Sequence, residues 1–118
     1  MTNVLSDNVT VINGTNNTVT ATVAAQSEPT AVAVDPVTNS VYVANLNNNC
    51  DSSGACGNSV TVINGATNAV TATLPTDTEP YSVAINPVTG KVYIANIMGD
   101  DVTVVDAVSY THLRPARP

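Results

Sequence analysis

Short stretches in which apolar residues alternate with Thr, Ser or Ala run along this chain, and each is bounded by Asn, Asp, Gly or Pro. Val9-Thr10-Val11, Tyr81-Ser82-Val83-Ala84-Ile85 and Lys91-Val92-Tyr93-Ile94-Ala95 show the pattern. A period of two puts alternate side chains on opposite faces of an extended strand, whereas a helix needs apolar positions three and four apart. The alternation predicts strands at about 8–13, 18–23, 30–35, 40–45, 59–64, 69–74, 81–86, 91–96 and 101–106. No helical period is visible.

These segments repeat. Asn8-Val9-Thr10-Val11-Ile12-Asn13-Gly14 returns as Ser59-Val60-Thr61-Val62-Ile63-Asn64-Gly65, and Val19-Thr20-Ala21-Thr22 as Val70-Thr71-Ala72-Thr73. Glu28-Pro29, Pro36-Val37-Thr38 and Val41-Tyr42-Val43-Ala44-Asn45 return as Glu79-Pro80, Pro87-Val88-Thr89 and Val92-Tyr93-Ile94-Ala95-Asn96. All share an offset of 51, but Val60 to Val102 is only 42, so the underlying unit is 42 residues and Asn47 to Gly57 is largely an insertion. Repeats of about 40–50 residues with four strands each are in the range of propeller blades. The turn residues between strands are short, and Asn64-Gly65 is a strong hairpin signal because both residues tolerate positive φ. Four strands joined this way form an antiparallel meander, which cannot cover both its faces alone. Radial stacking of such sheets does cover them. The predicted fold is therefore all-β: a β-propeller fragment of four-stranded antiparallel meander blades, with one complete blade from about Thr30 to Leu74 and two partial ones.

The segment Asn58 to Asn96 resembles the YVTN family of β-propeller repeats, named for a Tyr-Val-Thr-Asn strand that stands here as Tyr42-Val43-Ala44-Asn45 and Tyr93-Ile94-Ala95-Asn96. Ala replaces Thr in both. Val-Thr-Val-Ile-Asn-Gly-Ala-Thr-Asn and Pro-x-x-Val-Ala-x-x-Pro are also similar to the family, and the likeness extends over roughly residues 8 to 106. The resemblance implies a seven-bladed propeller, secreted or on a prokaryotic cell surface, often without a known ligand, and related in shape to lactonase-type and NHL propellers.

Composition agrees with strands and narrows the partners. The chain has no Trp or Phe and four Tyr, so a core must come from small branched residues, which favour the pleated sheet. The net charge is −6, and Lys91 is the one cation before residue 114. Such a surface repels phosphate backbones and anionic lipid, so no nucleic-acid partner is expected. No run of about 18 apolar residues marks a membrane span. Met1-Thr2-Asn3 leads straight into the repeat without a leader pattern. Low charge with abundant Thr and Asn suits an extracellular or cell-surface location.

An up-and-down meander also places loops. Connections from fourth to first strand and from second to third share one face. On it fall Glu28-Pro29, Glu79-Pro80 and the insertion from Leu46 to Asn58. The turns at Asp35-Pro36, Asn86-Pro87, Asn13-Gly14 and Asn64-Gly65 share the other. The insertion holds both cysteines, Cys50 and Cys56, and a disulfide between them is expected, which suits an oxidising compartment. Asn47, Asn49, Asp51 and Ser53 alternate there like calcium-loop ligands, but only Asp51 is charged and no acidic residue closes the series, so a solvated loop is expected. Glu28 and Glu79 either form an acidic collar in a closed ring or fix the crossing between blades as turn residues, the latter being favoured. Tyr42 and Tyr93 are expected to fill the space between blades. Asn-x-Thr sequons at Asn8, Asn13 and Asn16 are no more than chance in so Asn- and Thr-rich a chain.

No catalytic set, metal site or cofactor is expected: His112 is the one histidine, and no Ser/His/Asp group or Gly-rich phosphate loop occurs. Residues 107–118 break the repeat and contain both Arg, and Ser109 to Arg114 read like translated adapter; this tail is expected to lie outside the fold. The expected function is a non-catalytic module for protein interaction or adhesion, with an unknown protein or glycan as partner, completed by further blades of a longer chain or by other copies. The alternative is a fragment of a lactonase- or lyase-type propeller enzyme whose active-site residues lie in other blades.

Overall fold

Alternating Val, Ile, Ala and Thr form eleven strands among the described residues. They are β1 (Thr2–Asn3), β2 (Asn8–Asn13), β3 (Thr18–Ala24), β4 (Pro29–Asp35), β5 (Ser40–Asn45), β6 (Ser59–Asn64), β7 (Val70–Pro75), β8 (Pro80–Asn86), β9 (Lys91–Asn96), β10 (Asp101–Asp106) and β11 (His112–Ala116). The computed structural model describes residues 1–3, 6–25, 28–46, 59–76, 80–96, 101–107 and the backbone of 112–116. No helix occurs among them, so none is long and apolar enough to cross a membrane.

The strands make three antiparallel meanders in the orders β1-β2-β3, β4-β5-β6-β7 and β8-β9-β10-β11. The predicted hairpins fix the register. Asp35 pairs with Ser40, which pairs with Asn64, at one end of the central sheet; Pro29, Asn45 and Ser59 line up at the other. The third sheet repeats this, with Asn86 opposite Lys91 and Pro80 opposite Asn96.

The alternation assigns the two faces of each blade. On the central sheet Tyr42, Val60, Val62 and Leu74 face the third sheet, where they meet Val83, Val92, Ile94, Val105 and Ala107, with Ala31 and Ala33 of β4 packed at the margin. Its opposite face carries Val43 and Ile63 onto Val9 and Val23 of the first sheet. Between sheets, the most extensive contact is between β4 and β8, which identifies them as the strands nearest the axis. Polar ties cross this seam: the Tyr42 hydroxyl donates to the Ala107 carbonyl at 3.3 Å, and the Thr30 hydroxyl to the Tyr81 carbonyl at 3.4 Å. Tyr42 is fully buried, as expected for a side chain filling the gap between blades, whereas Tyr93 at the same repeat position is 38% exposed, on a face that none of the three described sheets covers.

Two expectations need correction. A strand precedes the one expected first, at about 8–13: β1 pairs Thr2 with Val9 and Asn3 with Asn8. Two residues show no alternation, so the pattern could not reveal them. The tail does not fall wholly outside the fold either, since β11 pairs with β10 in the fourth-strand position. Ladder bonds use backbone groups that every non-Pro residue carries, so a strand can add to an open edge without matching the repeat. Pro115 lacks the N–H, and the register slips between Val102 and Val104 where β10 opposes it; an outermost strand accommodates both.

Candidate interaction face

The Asn that closes the Tyr-x-Ala-Asn motif is structural. Asn45 is fully buried and its Nδ2 donates to Thr61 Oγ1 at 2.9 Å and to Ser59 Oγ at 3.2 Å. Asn96 donates to Thr103 Oγ1 at 2.8 Å, and Asn3 to Thr10 Oγ1 at 2.8 Å. Thr10, Thr61 and Thr103 hold one repeat position on the third strand, so each sheet carries the same Asn–Thr clasp between its second and third strands. Bonding the buried amide nitrogen this way favours one register, because an unpaired donor in the core is costly, while Asn45 Oδ1 is buried without a hydrogen bond.

The turn at the other end is capped by a side-chain oxygen. Asp35 Oδ1 accepts the Val37 N–H at 2.9 Å, and Asn86 Oδ1 accepts the Val88 N–H at 3.0 Å. Only one oxygen is needed, so Asp and Asn interchange. At the third-to-fourth turns Asn13 Oδ1 accepts from Thr15 N and Asn64 Oδ1 from Ala66 N. These turns share a face, as the meander requires: Gly65 N donates to Asn39 O at 2.8 Å, and Ala107 N to Gly90 O at 2.7 Å.

The opposite face holds the longer connections. Glu28 sits at a blade crossing with φ of 55°, a region that side chains rarely adopt and that surrounding contacts must enforce. Its N–H donates to Asp7 Oδ1 of the first sheet at 2.9 Å, and its carbonyl accepts from Leu46 N at 2.9 Å. Asp7 O also accepts from Ala25 N at 3.0 Å. The crossing is thus tied to a second-to-third connection of the preceding sheet and to the start of the insertion in its own. Sequence reasoning missed Asp7. Its signal was positional: Asp7, Asn58 and Asp100 stand two residues before the equivalent Val9, Val60 and Val102.

The described ends of the insertion, Asn45 and Ser59, lie at this end of the central sheet, beside Pro29. Glu79, Asn47, Asn49, Asp51, Cys50 and Cys56 lie outside the described residues. Among the described residues no group of three or more His, Cys, Asp or Glu side chains is placed to hold a metal ion.

No protein-family model matches the chain, and no curated protein matches it. Solved structures do. A hydrazine synthase from Kuenenia stuttgartiensis superposes with a TM-score of 0.80 at 24% identity, over 95% of this chain and 30% of that one. Apo AztD from Citrobacter koseri gives 0.73 at 15% identity, over 94% and 29%. Sqt1 from Saccharomyces cerevisiae gives 0.77 at 9% identity, over 94% and 28%. All three have propeller-type folds. The fold is that of β-propeller blades. The chain spans about 30% of the length of these structures, and at such identities the likeness concerns the fold alone.

Proposed function

We propose that this chain is a non-catalytic, secreted or cell-surface propeller module of the YVTN type that presents loops to a protein or glycan partner. The observation that carries this reading is the use of its recurring polar side chains. Asn45, Asn96, Thr61 and Thr103 close clasps inside the sheets, and Asp35 and Asn86 cap turns. What varies between repeats is the insertion, which leaves the sheet beside Glu28 on the face of the longer connections. On this reading Glu28, Glu79, Asn47, Asn49 and Asp51 contribute to the contact surface, and a Cys50–Cys56 disulfide restrains the loop outside the cell. Tyr93 and its neighbours receive a further unit of the same kind, as Tyr42 receives the third sheet.

The test compares the full chain with a variant in which residues 47–57 are replaced by the short connection of the following repeat. Both are applied to glycan arrays and to intact bacterial cells. Binding by the parent and its loss in the variant, with an unchanged thermal transition, is the expected result. Equal binding by both, or metal-dependent turnover of lactone substrates by the parent, would overturn the reading.

A further inference from the structure

Asn-x-Thr sequences occur at Asn8, Asn13 and Asn16, and their placement separates what their frequency does not. Such a sequence accepts a glycan only on the surface, and it calls for a hydroxyl two residues after the Asn. Asn8 is half-buried on β2, where its Oδ1 accepts from Asn3 Nδ2 at 2.8 Å and Thr10 Oγ1 is taken up by the clasp with Asn3. Asn13 is exposed, but its Oδ1 accepts the Thr15 N–H, at 2.9 Å, and not the hydroxyl. Asn16 and Thr18 are both exposed. Asn16 Oδ1 accepts from Thr18 N at 3.1 Å and from Thr18 Oγ1 at 2.6 Å. The oxygen and nitrogen of an amide lie on opposite sides of its carbon, so two bonds that hold Oδ1 in the turn leave Nδ2 directed out to solvent.

This arrangement belongs to the turn of a blade. The central sheet, packed on both faces, makes the same turn: Asn68 N donates to Asn64 O at 2.8 Å as Asn17 N does to Asn13 O at 2.7 Å, and Asn17 and Asn68 both have φ of 60°. Thr67 stands where Asn16 stands, is also exposed, and its Oγ1 accepts from Ala69 N at 3.3 Å. Exposure at this position therefore does not depend on a sheet's having an uncovered face. The difference lies in the residues, Asn16-Asn17-Thr18 against Thr67-Asn68-Ala69.

We infer that Asn16 is the acceptor for an N-linked glycan, with a polyprenyl-phosphate-linked sugar as donor. Asn16 Nδ2 bonds to the anomeric carbon, the bond from that carbon to the phosphate oxygen breaks, and the polyprenyl phosphate leaves with the electron pair while the nitrogen loses a proton. Use of the site rests on the secreted or cell-surface reading above, because lipid-linked donors present their sugar outside the cytoplasm. β3 is the outer strand of its sheet, and this turn lies at the end away from Asn8 and the Glu28 crossing. A glycan there shields the rim and leaves the proposed contact surface uncovered.

The experiment supplies donor and a purified oligosaccharyltransferase of Asn-x-Thr specificity to the folded full chain, so its outcome is independent of where the chain resides. Protease shaving of intact cells tests the location separately. A short Asn-x-Thr peptide confirms that the enzyme is active, and mass-spectrometric peptide mapping reads occupancy at each site. Glycan is expected at Asn16 and none at Asn8. Asn16→Gln and Thr18→Ala should each abolish the Asn16 signal, and Thr18→Ser should retain it. Thr67→Asn combined with Ala69→Thr should create a further acceptor at position 67 of the central sheet. No transfer to Asn16 while the peptide is modified, transfer confined to Asn8 or Asn13, or no gain at position 67 would overturn the assignment.

Discussion

The two repeat-equivalent tyrosines allow a direct measurement of what the seam between sheets contributes. Tyr42 is fully buried between the central and third sheets, while Tyr93 is 38% exposed. Burying a large aromatic side chain removes roughly 150–250 Å² from water. At about 25 cal/mol per Å² that is some 4–6 kcal/mol, an upper bound because a real unfolded chain already shields part of it. Truncation to Ala also leaves a cavity, so Tyr42→Ala should cost about 4 kcal/mol. Tyr93→Ala should cost about half as much, because less of its surface is covered and none of the described sheets packs beyond it. Tyr42→Phe removes only the hydrogen bond to Ala107 O and should cost about 1 kcal/mol. Urea unfolding followed by circular dichroism reads all three, with thermal shifts of about 4 °C per kcal/mol as a cross-check. Small domains hold only about 5–15 kcal/mol in total, so the Phe variant keeps the comparison measurable if Tyr42→Ala no longer folds. Equal costs for the two Ala variants would refute the claim that these sheets are stabilised across their faces.

Other expectations follow from single contacts. Gly65→Ala should destabilise by about 1–3 kcal/mol, because the new methyl meets Asn39, whereas Gly14→Ala should be neutral or stabilising by a few tenths; chemical denaturation distinguishes them. Asp35→Asn should stay within about 0.5 kcal/mol of the parent, since Asn86 fills the same role, while Asp35→Ala should lose about 1.5–3 kcal/mol with the cap to Val37. If the proposed Cys50–Cys56 bridge forms, reduction should lower stability by about 2 kcal/mol, and thiol alkylation in non-reducing denaturant should label neither cysteine.

Repetition made most of the architecture legible before any coordinates. The offsets located the strands to within a residue or so, and the meander rule put the Asp35-Pro36 and Asn64-Gly65 turns on one face, where Gly65 N meets Asn39 O. What escaped has a common cause. β1 is two residues long, and β11 joins through backbone groups that carry no sequence signature. The bond from Glu28 N to Asp7 Oδ1 spans 21 residues between sheets, so no local pattern encodes it. The motif Asn was recognised as a family mark, but its clasp with Thr61 or Thr103 needed the cross-strand register, which alternation alone leaves open by one residue.

The size of the side chains along one face of the central sheet has a geometric consequence. The apolar side chains that the central sheet's inner strand packs into the seam are Ala31 and Ala33, whereas the strands outside it offer Tyr42, Val60, Val62 and Leu74. On this face the central sheet is therefore a wedge, thin on its inner margin and thick farther out. Stacked wedges turn about an axis instead of marching along a line, so Ala at these two positions favours curvature between the central and third sheets. Enlarging Ala33 would pry the inner margin apart and straighten the stack, changing how many units complete a circle.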